Sequence, residues 1–269
     1  MRTKYILRYA LLAIATFFAT FPYVWIFITS IKPQNIAYKP SVIVFDPTID
    51  AYISVFANNP FIGYYLNTII VSLVPTVIAL SVGIFAGYAI SRYNTRVTST
   101  KYLFISSFVF PPIIFVVPMF FIFDKMGLTN SLAGLVITHL TFALPLSIWF
   151  LADFFDNLPP ALEEAAMIDG DSRYSAIFNV LIPNMKEGII AAGLLSFVLS
   201  WNSFLYPLIL AGEESKTLPV AVAEFNTFQG LLISRMSAAI ILTIVPVIVL
   251  AFYSQKYLVK GLSETGIKG

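Results

Sequence analysis

The chain has 269 residues, 58% of them apolar and 11% charged, with 16 Lys and Arg against 14 Asp and Glu. A soluble domain of this length would carry far more charge, and a net charge of +2 is too small to favour nucleic acid. No cysteine is present, which excludes disulfides, thiolate metal sites and cysteine nucleophiles.

The apolar residues fall in long runs, and a helix needs about 20 such residues to cross roughly 30 Å of hydrocarbon. Taken in chain order, the runs predict six spans, at about residues 9–31, 67–90, 102–123, 132–153, 188–210 and 237–257. Lipid offers no hydrogen-bond partner to a peptide group, so each span is expected to be helical. The expected fold is all-α: a polytopic membrane protein with six transmembrane helices in a single domain over residues 1–269. Span interiors hold almost no full charge, each of which would cost about 2.5–3.5 kcal/mol at mid-bilayer. Arg2, Lys4 and Arg8 precede the first run in the manner of a signal peptide. The run from Tyr9 to Ile31 is longer than an h-region of roughly 7–15 residues, so an uncleaved first span is expected.

Six spans place both termini on one side, and the Lys and Arg distribution selects which. Arg2, Lys4, Arg8, Arg92, Arg96, Lys101, Arg173, Lys186, Lys256, Lys260 and Lys268 fall on one side. Lys32, Lys39, Lys125, Lys216 and Arg235 fall on the other. Both termini and the polar segment 157–184 are therefore expected to be cytoplasmic, in a cell (inner) membrane protein. Tyr23, Trp25, Tyr64, Tyr65, Tyr253 and Tyr257 lie near span ends, as interface aromatics do. Pro111, Pro112 and Pro118 interrupt the third span, Pro145 the fourth, Pro207 the end of the fifth and Pro246 the sixth. Each can kink its helix. Ser81, Gly83, Gly87 and Ser91 recur at helical spacing in the second span and permit close approach of a neighbouring helix, by bundle packing rather than a dimer face.

Residues 157–184 form the one long polar island between spans. Pro159 and Pro160 suit the first turn of a helix, and Glu163 and Glu164 follow near its positive end. Gly170 supplies a permissive turn, after which Asp171 or Ser172 can cap a second helix. In that helix Tyr174, Ile177, Phe178 and Leu181 predict one apolar stripe, and Pro183 predicts a stop at Ile182. A hairpin lying on lipid is the alternative to a docking element, but two adjacent glutamates without a basic neighbour would be repelled by anionic lipid.

Glu164-Ala165-Ala166, three residues, Gly170, nine residues and Val180-Leu181-Ile182-Pro183 resemble the loop signature of ABC importer permeases. The family's usual ending is Ile-x-Leu-Pro, from which Val180 and Ile182 depart by apolar exchange. Asn67-Thr68-Ile69-Ile70, Gly87-Tyr88-Ala89-Ile90-Ser91-Arg92, Trp201-Asn202-Ser203-Phe204, Thr217-Leu218-Pro219-Val220 and the tail from Lys260 to Gly269 resemble the carbohydrate branch, of the maltose-type second permease kind. The resemblance implies a non-catalytic sugar-importer subunit that forms half of the translocation pathway. It implies that the 157–184 loop docks on an ATP-binding subunit dimer, with Glu164, Ala165, Ala166, Asp169, Gly170 and Tyr174 as the coupling residues. It also implies a second homologous permease, an extracytoplasmic substrate-binding protein, a sugar substrate and surrounding lipid as partners. ATP and Mg would be bound by the ATPase subunits, with no cofactor in this chain.

The residues agree with that division of labour. No Gly-x-x-x-x-Gly-Lys-Ser/Thr phosphate loop occurs, and Gly212-Glu213-Glu214-Ser215-Lys216-Thr217 lacks the second glycine. His139, the only histidine, lies in the fourth span, where a packed, hydrogen-bonded ring is expected rather than a proton relay. Trp201, Asn202 and Ser203, with Tyr206 beyond them, either pack helices or line a sugar path through ring stacking and amide–hydroxyl pairs. The outer segments 32–66 and 211–236 are longer than connectors need be. In the second, Glu213, Glu214, Phe225 and Phe228 are candidate contacts for the binding protein. An ion-coupled secondary transporter of a small solute is the alternative, and it would require buried ionisable residues and inverted repeats.

Overall fold

The computed structural model describes residues 2–57, 60–93, 97–227 and 230–266. In chain order its helices are α1 (Arg2–Ser30), α2 (Gln34–Ala37), α3 (Asp50–Ala57), α4 (Phe61–Tyr93), α5 (Val97–Ser106), α6 (Pro112–Lys125) and α7 (Leu132–Asn157). There follow α8 (Ala161–Ile168), α9 (Arg173–Ala176), a π turn (Ile177–Leu181), α10 (Ile182–Asn184), α11 (Lys186–Trp201), α12 (Leu205–Leu210), α13 (Leu218–Ala223) and α14 (Ile233–Gly266). A two-residue antiparallel pairing, Asn226–Thr227 with Gly230–Leu231, is the sole strand structure among the described residues. The fold class is all-α, as composition and run length required.

The span count differs from the six expected. Among the described residues four helices are long and apolar enough to cross a membrane: Tyr5–Ser30, Phe61–Tyr93, Leu132–Asn157 and Ile233–Gln255. A bent pair, Arg173–Asn184 with Lys186–Trp201 at 77°, makes five if the two are taken as one span. The predicted third span is two helices, because Pro111 and Pro112 remove two successive N–H donors and hold Phe110 extended, at ψ 126. The predicted fifth span stops at Trp201 and restarts at Leu205, which puts Pro207 in the first turn of a new helix, where an N–H has no partner anyway. Pro75, Pro118, Pro145 and Pro246 lie inside continuous helices.

The chain divides into two compact units. The first comprises residues 1–63 and 218–246. Its long N-terminal helix is apolar and exposed from Tyr5 to Trp25, as expected of a surface that lipid covers. Beyond it the Ile31 carbonyl accepts from the Thr48 N–H at 2.9 Å, and the Ser30 and Tyr52 hydroxyls meet at 2.7 Å. Ser234 Oγ donates to the Lys32 carbonyl at 2.8 Å, and the buried Lys32 ammonium lies over the Trp25 and Phe45 rings.

The second unit comprises residues 64–217 and 247–269. Its centre is the pair α4 and α7. A Cβ on Gly87 would stand 2.8 Å from the Ala152 backbone N, and one on Gly83 3.1 Å from Leu151 and Ser147. Gly83 and Gly87 thus serve bundle packing, whereas Ser81 is exposed. Helix α11 joins α7 through Ser147 and Ser196, whose hydroxyls lie 3.1 Å apart, and through Gly188 against the Phe154 ring. Lys101 ties α5 to the far end of α7 by pairing with Asp153 and Asp156. Tyr64 is buried under the Lys216 ammonium rather than standing at a lipid interface.

Gly87→Val forces backbone apart and should destabilise the detergent-solubilised protein by about 1–3 kcal/mol in thermal unfolding. Gly63→Ala meets nothing within 4 Å and should cost nothing in the same measurement.

Candidate functional site: the 157–184 loop and the cavity beside it

The loop begins where α7 ends. Leu158 leaves helical geometry before Pro159, and the Pro159 and Pro160 carbonyls accept the first N–H groups of α8. Helix α8 closes with two paired bonds: Gly170 N–H to the Met167 carbonyl at 3.2 Å, and Asp171 N–H to the Ala166 carbonyl at 3.0 Å. This is the Schellman geometry, which requires a left-handed residue, and Gly170 has φ +98. Of the two candidate caps, Ser172 caps α9 by accepting from Ser175 N–H at 3.2 Å. Asp171 instead accepts from the Ser175 hydroxyl at 2.7 Å.

Beyond α9 the structure departs from the expected stop at Ile182. The π turn re-phases the chain so that Pro183 falls in the first turn of α10, and Ile182 stays helical. The expected apolar stripe also splits. Ile177 and Leu181 join Met185 in a core with Tyr88, Phe150, Phe154 and Phe155, while Tyr174 and Phe178 face outward. Spacing of four keeps each pair on its own face, one turned into the core and the other to the surface.

The residue that fixes the loop to the bundle is Glu163, which sequence reasoning passed over in favour of its neighbour. Glu163 is buried, and its carboxylate accepts the Tyr88 hydroxyl. Its second oxygen lies 3.5 Å from Arg92 Nε, and Arg173 Nε approaches the first at 3.6 Å. Arg92 also donates to the Leu158 carbonyl at 3.1 Å, and the Arg173 guanidinium lies over the Tyr93 ring. The Arg92 side chain is 13% exposed and that of Arg173 50%, so the first pair holds more of the energy. The i, i+4 spacing of Tyr88 and Arg92 put both on one face of α4 and was the available signal.

The coupling residues chosen from sequence lie mostly on the opposite side. Glu164, Ala165, Asp169, Gly170 and Tyr174 are exposed, whereas Ala166 is buried. With Ile168 at 85% and Tyr174 at 72% exposure beside exposed Glu164 and Asp169, this surface carries both apolar and acidic side chains.

Beside the bundle, α5, α6, α7 and α12 enclose a cavity of about 880 Å³. That is within the range of small-molecule sites. The break at Phe110–Pro112 opens one wall, and Phe115, Phe142, Phe204 and Tyr206 supply rings. Of the sequence candidates, Ser203 and Tyr206 line it, Tyr206 being stacked on Phe142 at 6.3 Å. Trp201 and Asn202 do not. Trp201 is buried, stacked on Phe197 and edge-on to Tyr65, and Asn202 Nδ2 donates to the Val198 carbonyl of its own helix at 2.9 Å.

The segment 212–217 is held firmly. Asn67 Nδ2 donates to the Glu214 and Lys216 carbonyls at 2.9 and 3.0 Å, and Ser215 Oγ donates to Asn130 Oδ1 at 3.2 Å. Glu213 and Glu214 are thereby presented outward, Glu213 also accepting from Lys216 Nζ at 2.8 Å. Phe225 is buried, and Phe228 lies outside the described residues. No group of acidic or histidine residues fit to hold a metal occurs among the described residues.

The profile of the family "binding-protein-dependent transport system inner membrane component" matches residues 79–264. The inner membrane ABC transporter permease protein YcjP of Escherichia coli is 32% identical over 268 residues, covering 97% of this chain and 95% of its own. The trehalose transport system permease protein SugB of Mycobacterium tuberculosis is 35% identical over 259 residues, covering 94% and 93%. In three dimensions the chain resembles a subunit of a bacterial ABC transporter that imports the acidic polysaccharide alginate. The TM-score is 0.78 at 24% identity, over 95% of this chain and 96% of that one. This chain therefore belongs to the binding-protein-dependent transport system inner membrane components, as a multi-pass membrane subunit that transports rather than catalyses.

Leaving Arg92 without its buried partner should make Glu163→Leu cost about 3–5 kcal/mol in unfolding experiments, whereas Glu164→Ala should stay within about 0.5 kcal/mol. Gly170→Val should cost about 1–2 kcal/mol through its backbone angle alone, since open space surrounds the site.

Proposed function

We propose that this permease carries a carbohydrate and is driven by ATP hydrolysis in separate subunits that grip the 157–184 loop. The observation that carries the reading is the two-sided loop. One side is bonded to α4 through Glu163 and packed into the bundle through Ile177 and Leu181. The other presents Glu164, Ala165, Ile168 and Tyr174 to whatever docks there. A partner that moved this loop would move the ends of α4 and α7 with it. The ATPase would act by favouring one of two bundle states, which requires different affinity for the two.

The relatives support the cargo class, since their names specify trehalose, sulfoquinovosyl glycerol, trehalose/maltose and arabinooligosaccharide transport. The cavity supports it too. Aromatic rings can stack on sugar C–H faces, and Ser203, Thr141 and Tyr206 can pair with hydroxyls. Among the described residues no Asp, Glu, Lys, Arg or His lines it, which favours neutral sugar over a polyanion. A second permease would complete the pathway, and a substrate-binding protein would dock outside, against the surface that Glu213 and Glu214 present. A complex with a substrate-bound periplasmic protein is among the solved structures that share this fold. In this arrangement α5 with α6 would make one interrupted crossing and α11 with α12 another, which gives six spans and would put the termini and the loop in the cytoplasm.

Copurification of the whole complex, followed by uptake into vesicles, tests the proposal. Glu164→Lys should abolish nucleotide-driven uptake or the association of the ATPase, at unchanged expression. A cysteine at Asp169, in a chain that has none, should react with a membrane-impermeant maleimide only after the cells are opened. Uptake without an ATPase, or labelling in intact cells, would overturn it.

A further inference from the structure

Helix α4 runs unbroken from Phe61 to Tyr93 with Pro75 in its interior. Proline has no N–H, so the carbonyl four residues earlier, that of Val71, loses its partner within the helix. Val71 and Pro75 are both buried, so a bare carbonyl there would carry a desolvation penalty. The carbonyl is not bare. His139 Nδ1, from α7, lies 3.0 Å from it. A carbonyl only accepts, so Nδ1 carries the proton and donates. The ring is fully buried and held against Phe142 at 5.2 Å, which fixes its plane. Its other nitrogen, Nε2, has no hydrogen-bond partner among the described residues. One bond is therefore what this side chain contributes, and it goes to the one acceptor that the proline freed.

The neighbouring turns of α4 are also bonded locally. Thr68, Ser72 and Thr76 each donate a hydroxyl to the carbonyl four residues back. These bonds stay within α4. The His139 bond crosses to another helix.

We propose that His139 is a positioning residue for the transport cycle: its Nδ1–H replaces the N–H missing at Pro75 and so ties α4 to α7 at the proline. A proline bend left free would act as a hinge, letting the outer half of α4 move apart from the half that ends at Tyr88 and Arg92. With the carbonyl held by α7, the two helices move as one body when the loop is pulled. Both helices already lead to that loop, α7 through Leu158 and α4 through Glu163. The histidine thus acts on the same motion from the far end.

The test is a double-substitution cycle in the complete transporter, reading thermal unfolding and basal ATPase rate. His139→Leu keeps the apolar volume and removes the donor; Pro75→Ala returns the N–H to α4 and makes the donor dispensable. His139→Leu alone should lower the unfolding temperature by roughly 3 °C or more and raise the basal ATPase rate about threefold. The double variant should return both to within error of Pro75→Ala alone, because the two residues act on one carbonyl. Strictly additive effects, or a His139→Leu protein indistinguishable from the parent, would overturn the proposal. Where His139→Leu does not assemble, His139→Asn, whose amide N–H stands where Nδ1–H stood, should assemble and behave as the parent. His139→Gln, whose amide reaches the Nε2 position, should not, and equal behaviour of these two would equally overturn it. The ATPase readout rests on the transporter reading given above. The unfolding readout does not, so failure of one can be told from failure of the other.

Discussion

A hydrocarbon surround gives a peptide group nothing to bond to, and that constraint orders this molecule. It makes helices of the apolar runs, and it decides where they can stop. A chain break is tolerated only where its freed donors and acceptors find partners in the protein or reach water. Pro111 and Pro112 split a predicted span, and the chain restarts with Pro112 in a first turn. Pro207 sits in the first turn of α12 for the same reason. Pro75 lies inside a continuous helix, and a side chain from α7 bonds the carbonyl that it freed.

The same accounting governs the polar loop. Glu163 is a buried carboxylate, and burial of an unpaired charge would be prohibitive. It is held by the Tyr88 hydroxyl and two guanidinium groups, one of which also reaches the Leu158 carbonyl. The loop is in this way a continuation of two helix ends rather than a tether. That rigidity would suit the coupling role proposed for the loop, since a slack connection would absorb movement instead of passing it on. The exposed side has the opposite character. Ile168 and Tyr174 leave apolar surface uncovered next to Glu164 and Asp169, a combination suited to a partner with an apolar pocket and a basic rim.

The cavity between α5, α6, α7 and α12 has the break at Phe110–Pro112 in its wall, with rings and a few hydroxyls around it. In the proposed transport role, a lining without full charges would suit a neutral sugar, which exchanges water for stacking and hydroxyl pairs, better than a carboxylated one, which would meet no counter-charge.

Run length, composition and the spacing from Glu164 to Pro183 sufficed for the helical membrane fold, the close packing at Gly83 and Gly87 and the Gly170 turn, because each depends on local backbone rules or on bulk transfer to lipid. Periodicity also placed Tyr174, Ile177, Phe178 and Leu181 together, but the π turn and a neighbouring core sent two of them inward and left two outside. Of the adjacent glutamates, only contacts from α4 could decide that Glu163 turns in and Glu164 turns out. Of the Trp201 to Tyr206 group, only the arrangement of α6 and α7 could decide that Ser203 and Tyr206 meet the cavity while Trp201 packs on Phe197. His139 and Pro75 are 64 residues apart, and their shared carbonyl belongs to a third residue. A sequence states which groups need partners; which group meets which need is settled when distant segments come within bonding distance, and that is a property of the packed chain alone.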